Sequence, residues 1–219
     1  MASADSALGG GKLLNQLTEL WRQVKELTGR SRRGIRQYFA VLLISLGALL
    51  SLYVGGTYLW MYAQQRELMQ EFQAQNAVAN PSVPRVGGLT RISIPKINLD
   101  AVIMEGTSHK SLTLGPAHLR DSALPGDPGN SVLAAHRDTF FRHLYELKAG
   151  DDIFVERNGQ HYHYVVTGKR VVQPADLSVL DTTSESRLTL ITCYPVYFIG
   201  PAPERLVVFA KLAPGPDIS

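Results

Sequence analysis

Residues 187–195 read RLTLITCYP. Leu188, Thr189, Leu190, Ile191 and Thr192 form a short run of apolar and β-branched residues, which predicts a strand. Pro195 predicts where that strand stops, because proline cannot donate to a sheet ladder. The chain's one cysteine, Cys193, therefore falls at a strand end. A single cysteine allows no internal disulfide, so the fold has to rest on its apolar core. A buried cysteine often serves as a small hydrophobe, but Thr192, Tyr194 and Pro195 around this one favour a rim position.

Outward from this stretch the texture repeats. From Leu89 on, the runs RISIPKI, AVIMEG, SVLAAH, DIFVER, HYHYVVTGKRVV, RLTLITC and ERLVVFAKL are separated by Gly, Pro, Asp and Asn. Each has strand length and strand composition. Asn158-Gly159 between two of them predicts a type I′ hairpin, since both central residues of that turn need positive φ. Phe140 to Lys148 alone has the look of a helix. Seven or eight strands in about 125 residues point to a mainly β fold, a closed barrel or a sandwich, and closure would remove exposed sheet edges.

Upstream the composition changes. Residues 38–62, YFAVLLISLGALLSLYVGGTYLWMY, carry no charge, and at about 1.5 Å per residue they reach about 37 Å, enough to cross a bilayer with some tilt. Tyr38 and Phe39 at one end and Tyr58, Trp60 and Tyr62 at the other resemble interfacial aromatic belts. Arg30, Arg32, Arg33 and Arg36 precede the span, which by the positive-inside rule keeps the N-terminus cytoplasmic and puts the rest outside. The long N-terminal region and the absence of a small-x-small site argue against a cleaved signal peptide. The expected organisation is a basic, amphipathic cytoplasmic tail (1–37), a transmembrane helix (38–62), a stalk and linker (63–88) broken by Pro81, Pro84, Gly87 and Gly88, a catalytic domain (89–213) and a short tail (214–219). In the first of these, Leu13, Leu17, Leu20, Val24 and Leu27 recur at helical spacing.

The net charge of +3 belongs to the N-terminus: residues 1–36 hold seven Lys/Arg against three Asp/Glu, and residues 63–219 hold fifteen against sixteen. With no basic stripe interleaved with aromatics in the body, nucleic acid is not expected as a partner. Gly9 to Lys12 lack the spacing of a phosphate loop.

A thiol with an ordinary pKa near 8.5 is mostly protonated at neutral pH, so a nucleophilic cysteine needs a base or positive charge beside it. His136 is the best candidate of six histidines: it ends the apolar run Ser131 to Ala135 and is followed by Arg137 and Asp138. His109 and His118 are read as loop residues and His143 as helical. His161 and His163 alternate on one strand face, read as solvated because no third metal ligand stands at useful spacing. No metal or cofactor is expected, with loop acids such as Asp151 and Asp152 the weak exception for calcium. Arg205 begins the last strand, twelve residues after Cys193, and can donate to an oxyanion if the two flanking strands are neighbours.

Thr189-Leu190-Ile191-Thr192-Cys193, the upstream strand ending in His136 and Arg205 after the cysteine loop resemble the sortases, over roughly Thr90 to Leu212. The His-Arg-Asp run at 136–138 and Cys-Tyr-Pro at 193–195 resemble the class D group. Ala135 stands where relatives often carry Gly. The resemblance implies a sortase-type closed β-barrel of about eight strands with short helices, and a two-step transpeptidation. Cys193 would attack the Thr carbonyl of a sorting signal resembling Leu-Pro-x-Thr-Gly or Ala on secreted proteins. An amine acceptor from cell wall or pilin would resolve the thioester, with His136 as acid and base and Arg205 as oxyanion donor. Thr192, Tyr194 and Val196 are the expected substrate-binding residues. A papain-like peptidase with water as acceptor fits poorly, because there the cysteine precedes the histidine. An L,D-transpeptidase lacks its Ser-x-Gly-Cys context here, and a catalytically inert surface scaffold is the reading from a different class.

Overall fold

In a computed structural model of the protein, residues 8–77 and 88–214 are described. The chain divides into two units, residues 1–58 and residues 59–219. The described residues of the first are the N-terminal part of one long helix, α1 (Leu8–Ala77). Within α1, the stretch Gly34–Asn76 is long and apolar enough to cross a membrane, with a mean hydropathy of 2.1 in its most apolar window and none of that window buried. Leu43, Ile44, Leu52 and Tyr53 are all exposed, so this part of the helix is apolar around its whole circumference, as a membrane span is. Residues 8–36 belong to the same helix; Leu20 is exposed, and the side chains of Leu13, Leu17, Val24 and Leu27 lie outside the described residues.

The second unit is a closed barrel with strand order β1-β2-β3-β4-β7-β8-β6-β5. Its strands are β1 (Thr90–Ile94), β2 (Leu99–Glu105), β3 (Ala117–His118), β4 (Asn130–Ala134), β5 (Asp152–Arg157), β6 (Gln160–Val172), β7 (Arg187–Tyr194) and β8 (Glu204–Leu212). The seven runs named above supply every strand but β3, whose two residues leave no periodicity to read. Period-2 alternation sends Ile153 and Val155 of β5, Tyr164 and Val166 of β6, Leu188 and Leu190 of β7, and Leu206, Val208 and Ala210 of β8 into one core. Asn158 and Gly159 adopt φ of 53° and 77° between the facing residues Arg157 and Gln160, the expected two-residue hairpin.

β4 and β7 run parallel, and parallel strands need cover on both faces. The outward side of β7 and β8 receives it from the turn Leu177–Leu180, through Val179, Val172 and Val207. Asn130 pins that turn: its Nδ2 donates to Val179 O (3.0 Å) and Asp181 O (3.2 Å), while its Oδ1 accepts from Thr189 Oγ1 (2.6 Å).

Three local expectations are corrected. Phe140 to Lys148 forms turns with a 3-10 segment at Leu144–Glu146 and no α-helix; Phe141, Leu144 and Leu147 are buried there, so tertiary packing shapes the segment. His109 is not in a loop but opens α2 (His109–Leu114), capped by Ser108. His118 lies in β3, 2% exposed, with Nδ1 3.2 Å from Glu105 and Nε2 3.0 Å from Ala123 O.

Residues 63–77, expected as a stalk, are helical and packed on the barrel. Phe72 is 3% exposed and Asn76 Nδ2 donates to Glu156 Oε1 at 2.7 Å. β3 is too short to flank all of β2, and pairing with it starts only at Met104. At Val102 the carboxamide of Gln65 takes the missing strand's place: Oε1 accepts from Val102 N (3.0 Å), and Nε2 donates to Leu114 O (2.6 Å) and Val102 O (3.3 Å). Pro81, Pro84 and Gly87 lie outside the described residues, as does the tail after Pro214.

Candidate active site

Strand register builds the site. β7 and β8 are antiparallel neighbours in which Cys193 faces Arg205. On the other side of β7, the parallel ladder pairs Ala134 with Ile191, the residues two positions before His136 and Cys193. The strands β4, β7 and β8 are thus adjacent, with His136 two residues past the end of β4 and Cys193 and Arg205 on neighbouring strands about 4.8 Å apart. The ladder extends past the last residue of β4, since Ala135 N donates to Ile191 O (3.2 Å) and Thr192 Oγ1 donates to Ala135 O (2.8 Å). Thr192, expected among the substrate-binding residues, is 2% exposed; its side chain fastens the His136 turn to β7 and presents almost no surface to a groove.

Cys193 is a half-buried free thiol at the end of its strand, just before a cis Tyr194-Pro195 peptide. Arg205 curls toward its own loop, Nη1 donating to Ala202 O (3.2 Å) and Glu204 O (2.9 Å). Both bonds come from Nη1, so among the described residues Nε and Nη2 keep their N–H groups for another acceptor. His136 stands edge-to-face with His109, ring centroids 6.2 Å apart. Of the expected substrate-binding residues, Tyr194 and Val196 line a cavity of about 330 Å³ with Tyr145, Pro195, Tyr197 and Phe198. Ile199 at the loop tip is 98% exposed.

Arg137, Tyr145 and His109 are neighbours of this site that sequence reasoning passed over. Arg137 offered one signal, its place beside His136. Its partners are remote in sequence: Pro195 O, Phe198 O and Gly200 O, at 2.9, 2.9 and 2.8 Å. Tyr145 hydrogen-bonds Tyr197, which with burial and the nearby Glu146 charge pushes its phenol up to about 12. Glu146 is in turn held below the usual carboxylate range, chiefly by its hydrogen bond from His143. His161 and His163 are exposed on the far sheet face, His163 stacked on Phe154 (5.0 Å) and 2.7 Å from Asp152. Among the described residues no three His, Cys, Asp or Glu side chains cluster as a metal site.

A closed eight-stranded barrel with a thiol and a guanidinium paired on neighbouring strands and an imidazole just past the end of a third defines a cysteine enzyme of the transpeptidase type. The Sortase domain family model matches residues 92–213, and the chain belongs to the sortase family. Sortase D of Bacillus subtilis (strain 168) is 35% identical over 141 residues, 64% of this chain and 70% of that protein, which supports the class D group. Sortase A of Bacillus anthracis is 33% identical over 54% of this chain and 58% of its own length. Among solved structures, the Clostridium perfringens Sortase D5 transpeptidase has a TM-score of 0.57 at 26% identity, covering 70% of this chain and 98% of that one.

Proposed function

We propose that this chain is a membrane-anchored cysteine transpeptidase. It cleaves a sorting signal resembling Leu-Pro-x-Thr-Gly or Ala near the C-terminus of secreted proteins and joins the new acyl end to an amine of the cell wall or a pilin. The observation that supports the reading is the strand order β4-β7-β8, in which Cys193 pairs with Arg205 and the strand leading to His136 runs along the other side of β7.

In the first step the Cys193 thiol passes its proton to His136 as the sulfur bonds to the Thr carbonyl carbon and the carbonyl electrons move to oxygen. Free N–H groups of Arg205 receive that oxyanion. Collapse breaks the C–N bond, and His136 gives its proton to the departing amine, leaving a thioester. In the second step the acceptor amine attacks the thioester, and His136 takes its proton and passes it to the sulfur as the thiol is released. Tyr194 and Val196 border a cavity built largely from the segment that follows Cys193 and are the proposed substrate contacts, a role Thr192 plays only indirectly.

The span in α1 anchors the enzyme, with Arg30, Arg32, Arg33 and Arg36 on the cytoplasmic side and the barrel outside. Tethering enzyme and exported substrate to one surface raises their effective concentration. The test incubates the full chain in detergent with a library of pentapeptide signals and amines and follows the mass of Cys193. An acyl adduct that disappears on adding amine is expected. His136→Ala or Arg205→Ala should lower turnover by about 10²-fold or more with the barrel still folded. No adduct with any signal would end the reading.

A further inference from the structure

Two connections meet at the site: residues 135–151, which carry His136, and residues 195–203, which follow Cys193. Arg137 spans them. Its guanidinium donates to three carbonyls of the second connection, Pro195, Phe198 and Gly200, and its backbone follows His136 directly. All three partners are carbonyl oxygens, so the group works as a clamp on backbone rather than as half of an ion pair. A planar fork of fixed N–H directions suits several convergent acceptors, where an ammonium acts as a point charge. The loop it grips has an exposed apolar tip, with Tyr197 75% and Ile199 98% exposed, so little hydrophobic burial holds it in place. Tyr145 of the first connection and Tyr197 of the second also line one cavity.

We propose that Arg137 is a positioning residue that locks the His136 turn and the loop after Cys193 into one unit, so that His136 keeps its position relative to the thiol through both acyl transfers. This rests on the transpeptidase reading for its catalytic consequence, though not for the clamp itself. On the other flank, Thr192 bonds Ala135 O, so His136 is held from both sides, by β7 through Thr192 and by the loop through Arg137. Displacing a catalytic group by about 1 Å costs on the order of 10²-fold in rate.

The experiment compares the full chain with Arg137→Ala and Arg137→Lys in detergent. It reads kcat and KM with a pentapeptide signal, normalised to the Cys193 that titrates with a thiol reagent, and amide hydrogen exchange over residues 195–203. Arg137→Ala is expected to lose about 10²-fold in kcat with little change in KM, to melt cooperatively, and to lose protection in the loop. Arg137→Lys should recover only part of the rate, and added guanidinium should restore some of it to the alanine variant. An unchanged kcat, or a loss that follows only a fall in titratable Cys193, overturns the proposal. If the parent chain acylates with no signal, the transpeptidase reading fails, and exchange in the loop still decides: protection equal in parent and Arg137→Ala refutes the clamp.

Discussion

Replacing Gln65 by alanine removes the side chain that stands in for a strand. Val102 is fully buried and Leu114 nearly so, and the substitution strips both of partners at 2.6–3.3 Å. A typical hydrogen bond contributes a net of about 1 kcal/mol, and a buried donor left unpaired costs about 1–3 kcal/mol. With one N–H and two carbonyls affected, the expected loss is about 3 kcal/mol. For a unit of this size each kcal/mol lowers the melting temperature by about 2–4 °C, so the shift should be roughly 6–12 °C. Gln65→Glu keeps the acceptor for Val102 N but turns the donor toward two carbonyls into another acceptor, and should be worse than alanine. Near-ultraviolet circular dichroism is the suitable probe, because the α1 helix dominates the far-ultraviolet signal, together with hydrogen exchange at the Val102 amide. An alanine variant with an unchanged midpoint and a protected Val102 amide would refute the reasoning. The same contacts imply that a soluble fragment should begin near Leu59: one starting at residue 85 loses Gln65 and also Phe72, and deleting a buried Phe side chain alone costs about 3–5 kcal/mol.

The Tyr145 phenol, raised from 10.0 to about 12 by Tyr197, should ionise after the exposed tyrosines in an ultraviolet titration, and Tyr197→Phe should bring it down. Because the folded value is the higher one, the stabilisation is complete below pH 10 and is lost as pH rises toward 12; a Tyr145 that ionises with the bulk tyrosines would contradict this. Thr192→Val keeps the shape but leaves Ala135 O without its bond, which should cost about 1–2 kcal/mol and also slow turnover, since the next residue is His136. A variant that melts earlier yet turns over at the parent rate would separate Thr192 from the positioning of His136.

The strands of the barrel are legible because a half-buried strand writes period-2 alternation into its own residues, and the hairpin at Asn158-Gly159 because positive φ selects those residue types. The Cys193 and Arg205 pairing could be anticipated from a short loop between two strands. Other features have no local signature. β3 is two residues long and exists through its neighbours. α2 is six residues, too short to show a helical stripe. Phe140 to Lys148 has helical composition but is shaped by where Phe141, Leu144 and Leu147 pack. Thr192 reads as a rim residue from its neighbours, whereas register turns it inward against Ala135. Gln65 and Arg137 look like solvated polar residues, and their partners lie 37 to 63 positions away, beyond any pattern of spacing.

Gln65 also lies ahead of every strand in the chain. The group that completes the flank of β2 is made before β2 itself, so it precedes every strand of the barrel in synthesis. Non-local strand pairing is the slow part of building a β domain, and here its weakest flank has a template waiting. The helix that carries the candidate membrane span thus also supplies, at its C-terminal end, a surface on which the barrel closes.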